Sequence, residues 1–199
     1  MLNVLARARI SAVLEPVGRS LARAGVSPDV ITVLGTVGVV VGAVGFAARG
    51  HLLLGLVIVT VSVLTDMLDG AVARARGGGT PWGALLDSSM DRIADGAIFA
   101  SVAFWLATSG RPVSAAAALM CLVGAFTVSY VKARAEGLGF RCDVGIAERT
   151  ERLIVVGAGA ILSMLGVPYA LEVSLWVLVA LCVITIGQRL YAVRRQVAG

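Results

Sequence analysis

Residues 52–73 read LLLGLVIVTVSVLTDMLDGAVA, a run that carries no charge from Leu52 to Thr65 and then meets two aspartates, Asp66 and Asp69. A helix needs about 20 apolar residues to cross about 30 Å of hydrocarbon, so this stretch reads as a membrane span with carboxylates at one end. The composition agrees. Of the 199 residues, 58% are apolar and 15% are charged, where a soluble domain carries roughly a quarter charged residues, and the mean hydropathy is +0.93. Lys and Arg number 17 against 12 Asp and Glu, a net charge of +5. These cations punctuate apolar runs instead of lining one patch, which argues against a nucleic-acid partner. Cys121 and Cys182 lie in apolar runs and Cys142 in a short polar stretch, with no metal-ligand spacing among them. They read as small hydrophobes and an incidental thiol, not as a disulfide or zinc framework.

Five further stretches have span character, giving six in all: 31–48, 52–73, 85–108, 113–131, 153–169 and 171–189, the last two meeting at a tight turn at Pro168. Cytoplasmic loops normally hold the Lys/Arg excess. With six spans, one side collects Arg7, Arg9, Arg19, Arg23, Arg74, Arg76, Lys132, Arg134, Arg141, Arg149, Arg152, Arg189, Arg194 and Arg195. The other side holds only Arg49 and Arg111, and Arg92 lies within the third span. Both termini are therefore expected in the cytoplasm, in a multi-pass protein of the cell membrane.

The first 26 residues are too interrupted by charge for a signal peptide. At 100° per residue Ile10, Val13, Leu14, Val17 and Leu21 share one face, opposite Arg9, Glu15, Arg19 and Arg23. That pattern predicts an amphipathic helix on the cytoplasmic leaflet, kinked at Pro16. The expected architecture is all-α: residues 1–26 as a juxtamembrane helix and 27–199 as a six-helix membrane domain. Gly38 and Gly42 form a GxxxG pair suited to close helix packing, of which a dimer face is one use.

Asp66, Asp69, Asp87, Asp91 and Asp95 put five of the twelve acids at the ends of two apolar spans. An ionised carboxylate at a helix centre costs roughly 2.5–3.5 kcal/mol on the translocon scale, so opposing charge is required. Asp66 and Asp69 are three apart and Asp87 and Asp91 four apart, so each pair shares one face of its helix. Two facing pairs of hard oxygen ligands suit Mg²⁺, with Mn²⁺ also possible. Intramembrane acids also mark ion paths, which makes an ion-coupled transporter the competing class. These acids, however, all lie toward the basic side, and the outer halves of the spans are almost free of ionisable groups, so no path crosses.

The intervening residues sharpen this. Asp66, Asp69-Gly70, Ala73-Arg74, Gly83, Asp87 and Asp91 match D-x2-D-G-x2-A-R-x8-G-x3-D-x3-D in full. The chain thereby resembles the CDP-alcohol phosphotransferases. The resemblance implies a six-span membrane enzyme that exchanges the CMP of a CDP-linked lipid for an alcohol, using divalent metal, two ions being expected. It makes Asp91 the general base and Asp66, Asp69, Asp87 and Asp91 the metal ligands, with Asp95 outside the signature. Small Gly70 and Ala73 would let a nucleotide approach the backbone, Gly77, Gly78 and Gly79 would make a pliable cover, and Arg74 can hold phosphate oxygens. Ser27-Pro28-Asp29-Val30-Ile31-Thr32 resembles the family's nucleotide-pocket stretch, commonly Pro-Asn-x-x-Thr, with Asp29 in place of Asn. Asp29, Val30, Ile31, Thr32, Thr80 and Gly83 thus join the expected CDP-diacylglycerol contacts. Helix capping by Ser27 or Asp29 is compatible with that role.

The acceptor is read from the remaining cations. Lys132, Arg134, Arg149, Arg152 and Arg189 cluster at the basic ends of spans four to six, which suits a phosphorylated alcohol. Leu86 to Arg92 (LDSSMDR), Ser129 to Glu136 (SYVKARAE) and Gly145 to Arg152 (GIAERTER) resemble the bacterial phosphatidylinositol phosphate synthases. That likeness implies CDP-diacylglycerol and inositol 1-phosphate as substrates, with Lys132, Arg152 and Arg189 on the inositol phosphate, and a homodimer as the working unit. Phosphatidylglycerophosphate synthases, which use glycerol 3-phosphate, are the nearest alternative; their third span more often has Pro and Lys where Ser88 and Arg92 stand.

Overall fold

The computed structural model describes residues 15–198, in which every regular element is helical and no strand occurs. Residues 15–23 form α1. α2 (Pro28–Val40) runs on through a π-helical stretch, Val41–Phe46, and a 3-10 turn, Ala47–Arg49. α3 (Leu52–Ala75), α4 (Pro81–Thr108), α5 (Pro112–Gly137), α6 (Arg149–Met164) and α7 (Ala170–Ala198) follow. Pro28, Pro81 and Pro112 open their helices, where a missing N–H costs nothing and the fixed φ suits the first turn.

Among the described residues, four helices are long and apolar enough to cross a membrane: Pro28–Arg49, Leu52–Ala75, Pro112–Gly137 and Ala170–Ala198. They mark the chain as a membrane protein, and their outward residues, such as Leu34, Leu53, Val123 and Val183, are exposed aliphatics. The six-span expectation is met in part. α4 carries four charges between Asp87 and Asp95, and the 16 residues of α6 span about 24 Å at 1.5 Å per residue. The fifth apolar stretch was expected to reach Tyr169, but α6 stops at Met164; Gly166 (φ 86°) and Tyr169 (φ 57°) turn the chain before α7 begins.

The chain folds as two compact units, one of the described residues up to Phe46 with Leu54–Ala97, the other of Ala47–Leu53 with the described residues from Ile98. In the first, glycines set the approach of α2 to α3. A Cβ added at Gly35 would lie 3.2 Å from Asp66 Oδ1, and one at Gly42 would lie 2.9 Å from Ile58 Cγ2, while Gly38 faces Ser62. The GxxxG pair is thus spent on packing within the chain. Gly18 of α1 abuts Ala71 of α3, whose backbone carbon would lie 2.8 Å from a Cβ there. The juxtamembrane reading can be compared with the structure only from Glu15 onward; Arg7, Arg9, Ile10, Val13 and Leu14 lie outside the described residues.

In the second unit α7 packs on both α5 and α6. Ala115, Ala117, Ala118 and Ala125 give α5 a small-residue face, and Phe99, Leu106, Leu171, Leu175 and Leu178 fill the core around it, the close-packing mode of helices in lipid. The Cys121 thiol donates to Leu175 O at 3.2 Å, and all three cysteines are buried. Arg111, one of the two cations expected on the outer side, pairs with Glu172 at 2.7 Å and stacks over Trp105 at 5.0 Å.

Candidate active site

The first unit assembles the acids. On α3, Asp66 and Asp69 project from one face because they are three residues apart, and Asp87 comes from the first two turns of α4. One carboxylate oxygen from each of Asp66, Asp69 and Asp87 lies within 4.8 Å of the others, an arrangement that could hold a metal ion. The donors are all hard oxygens, the set that Mg²⁺ and Mn²⁺ prefer, so the residues fit a divalent cation. Asp91 lies one turn past Asp87, outside that trio, with Arg92 Nη2 3.6 Å from its Oδ2. The same guanidinium reaches Asp95 Oδ2 at 3.8 Å, and Asp95 is fully buried. Asp95, set aside by the motif, therefore has a structural partner on its own helix.

Around the trio stand the expected donor contacts. Thr32 is buried on α2, and its hydroxyl donates to Asp69 Oδ2. The other Asp69 oxygen accepts from the Gly70 N–H. Asp69 is thus oriented through both oxygens, as outer partners orient metal ligands. Ile31 is buried beside Thr32, whereas Val30 is half exposed. A Cβ on Gly70 would sit 3.4 Å from Arg74 Nη1, so the absent side chain leaves room for Arg74, itself exposed, to fold back along α3. Thr80 Oγ1 accepts from Gly83 N at 3.0 Å and caps α4. Asp29 Oδ1 would be 3.7 Å from a Cβ at Gly83, which brings Asp29, Thr80 and Gly83 together. Ser27 holds the N-cap position of α2 without a side-chain capping bond. Ala73 is half-buried on α3, and the glycine linker follows with Gly77 and Gly78 at φ 101° and 122°.

The second unit gathers the cations. Lys132, a third exposed, lies 3.2 Å from Asp143 and 3.8 Å from Glu136. Arg152 is 1% exposed and donates to Ala147 O at 3.0 Å. Arg189 is 3% exposed; its Nε donates to Val144 O at 2.8 Å, its Nη1 to Val128 O at 2.6 Å, and its Nη2 is 3.8 Å from Glu148. Arg189 is therefore committed to holding the α5–α6 loop against α7. Sequence reasoning missed the rest of that clamp. Thr185 accepts from Ile146 N and Ala147 N at 3.2 and 3.0 Å, and Gln196 bonds both backbone groups of Arg141, at 3.0 and 2.7 Å. Thr185, Arg189 and Gln196 recur at spacings of four and seven, the only signal of this polar face that α7 offered.

The family model for CDP-alcohol phosphatidyltransferase matches residues 25–187. The chain belongs to the CDP-alcohol phosphatidyltransferase family. Membership makes it a transferase enzyme of phospholipid biosynthesis, which sets the transporter reading aside. Among the CDP-alcohol phosphatidyltransferases, it is 45% identical to the phosphatidylinositol phosphate synthase of Mycobacteroides abscessus, over 98% of this chain and 89% of that protein. The phosphatidylinositol phosphate synthase of Mycobacterium marinum is 48% identical, over 95% of this chain and 82% of that one. The crystal structure of the Mycobacterium tuberculosis phosphatidylinositol phosphate synthase with CDP-DAG bound superposes with a TM-score of 0.86 at 47% identity, covering 92% of this chain and 94% of that chain. The same enzyme in complex with manganese and citrate gives 0.85 at 48% identity, covering 90% and 88%. Arg189 and Gln196 lie beyond the residues matched by the family model.

Proposed function

We propose that the chain transfers the phosphatidyl group of CDP-diacylglycerol to inositol 1-phosphate, giving phosphatidylinositol phosphate and CMP. The observation that carries this reading is the convergence of the Asp66, Asp69 and Asp87 carboxylates inside the family signature; the names of the relatives above support the acceptor. Asp91 takes the proton of an inositol hydroxyl as its oxygen attacks the lipid-bearing phosphorus, and the bridging P–O bond to CMP breaks with its electron pair leaving on CMP. Asp66, Asp69 and Asp87, with Asp91 sharing, would hold Mg²⁺ or Mn²⁺, two ions in all, whose charge offsets that of the pyrophosphate and of the departing CMP. Asp29, Val30, Ile31, Thr32, Gly70, Ala73, Thr80 and Gly83 line the cytidine and pyrophosphate, and Arg74 grips phosphate oxygens in a bidentate fork. Lys132 and Arg152 take the acceptor's phosphate, and Arg189, through Val128, Val144 and Glu148, holds the wall they stand on.

The same reading places six spans in the cell membrane, with the termini and the site on the cytoplasmic side, where a sugar phosphate and a two-tailed lipid can both arrive. It takes the working form as a homodimer. The test is incorporation of labelled inositol 1-phosphate, glycerol 3-phosphate or free inositol into lipid by the purified protein with CDP-diacylglycerol and Mg²⁺. Product from inositol 1-phosphate alone, lost with EDTA and regained with Mg²⁺ or Mn²⁺, is the expected result. Product from glycerol 3-phosphate alone would keep the acidic site and overturn the acceptor.

A further inference from the structure

The α5–α6 loop is more firmly fixed than its exposure suggests. From Arg141 to Ala147, α7 holds it at the Arg141 N–H and C=O through Gln196, at Val144 O through Arg189, and at the Ile146 and Ala147 N–H groups through Thr185. Arg152 adds a bond to Ala147 O. Cys142 is buried at 1% exposure. Gly145, at φ 140°, lets the loop lie on α7, since a Cβ there would come within 2.6 Å of Thr185 Cγ2. Between these anchors Asp143 is put out into water, 78% exposed, with its Oδ1 3.2 Å from Lys132 Nζ. An exposed ion pair adds little to stability, and so much backbone fixing is not needed to form one.

We propose that Asp143 is a specificity-determining residue that reads the hydroxyls of a polyol phosphate whose phosphate group rests on Lys132. This deepens the reading of Lys132 given above and rests on it. An ammonium has three donors, so Lys132 can serve a phosphate and Asp143 together. An ionised carboxylate only accepts, and its two oxygens can take two neighbouring hydroxyls at once. Its negative charge and that of Glu136, 3.8 Å from the same ammonium, oppose a bare phosphate dianion. A ligand that brings hydroxyls to Asp143 recovers what the phosphate alone loses, and this is how a site separates a cyclic polyol phosphate from a simpler anion.

The experiment measures, on the full-length enzyme with CDP-diacylglycerol and Mg²⁺, KM and kcat for inositol 1-phosphate and Ki for inorganic phosphate, in the wild type, Asp143→Asn, Asp143→Glu and Lys132→Ala. The exposed position of Asp143 makes its variants fold. A site built to bond hydroxyls rejects poorly matched partners strongly, so Asp143→Asn is expected to raise KM about tenfold or more at nearly unchanged kcat. Inorganic phosphate should bind more tightly to the same variant, because Lys132 loses a competing anion, and Asp143→Glu should recover part of the KM. If Asp143→Asn tightens both anions together, or moves neither, Asp143 is only a counter-ion and the proposal is overturned. Lys132→Ala separates the premise: it should weaken inorganic phosphate, and an unchanged Ki there would overturn the placement of the phosphate on Lys132 itself.

Discussion

Asp91 and Asp87 are one helical turn apart, yet only Asp87 joins the trio with Asp66 and Asp69. This separation suits a division of labour between holding charge and moving a proton. A positioned general base contributes about 10²–10⁴ in rate. Asp91→Asn should therefore lower kcat by about that factor while CDP-diacylglycerol binding, measured by isothermal titration, stays within about twofold. The trio was legible in the sequence because carboxylates at membrane depth demand compensation, and spacings of three and four leave few ways to arrange it. Arg189 was legible as a basic residue but not as a clamp, since its acceptors, Val144 O and Val128 O, lie 45 and 61 residues away in sequence. No local pattern records a backbone carbonyl as a partner. Asp143 was invisible for the same reason, as its meaning depends on a loop conformation set by α7.

Helix positions followed from apolar runs, and helix ends did not. α7 continues to Ala198, past the expected end at Arg189, because hydrophobicity marks where lipid stops and says nothing about where backbone hydrogen bonding stops. α6 is shorter than its apolar run, since Gly166 and Pro168 end helical geometry while the residues around them stay apolar. Close packing between elements gives two predictions. Gly42→Leu would drive a side chain into Ile58 and the Gly55 carbonyl, and overpacking typically costs about 1–3 kcal/mol; a lower thermal midpoint in detergent, matched by no loss in Gly45→Leu, whose Cβ would meet only Val41 at 3.9 Å, checks it. Arg189→Met would remove the side-chain hydrogen bonds to Val128 O and Val144 O, at about 0.5–1.5 kcal/mol for each bond lost. Its sign is earlier proteolysis between Arg141 and Ala147, followed by mass spectrometry of limited digests.

For the molecule as a whole, the distribution of cations predicts sidedness, and the buried cysteines make it measurable. Cys121, Cys142 and Cys182 are each at most 1% exposed, so a membrane-impermeant maleimide meets little background. Gly110→Cys, in the turn before α5, should label on intact cells, and Gly79→Cys, in the linker before α4, only after permeabilisation; the reverse would invert the topology. Fold class was readable from composition because lipid imposes it on every residue. The division into two units was not, since it reflects which glycines and alanines meet across helices. One consequence concerns ionic strength. Arg152 and Arg189 are 1% and 3% exposed, while Lys132 keeps a third of its side chain in water. Dissolved ions screen exposed charges over a Debye length of about 10 Å at 0.1 M and about 3 Å at 1 M, and buried ones far less. On the proposed acceptor site salt therefore reaches Lys132 and spares Arg152, and the KM for the acceptor should climb gently across that range, with the shallow slope of a single charge.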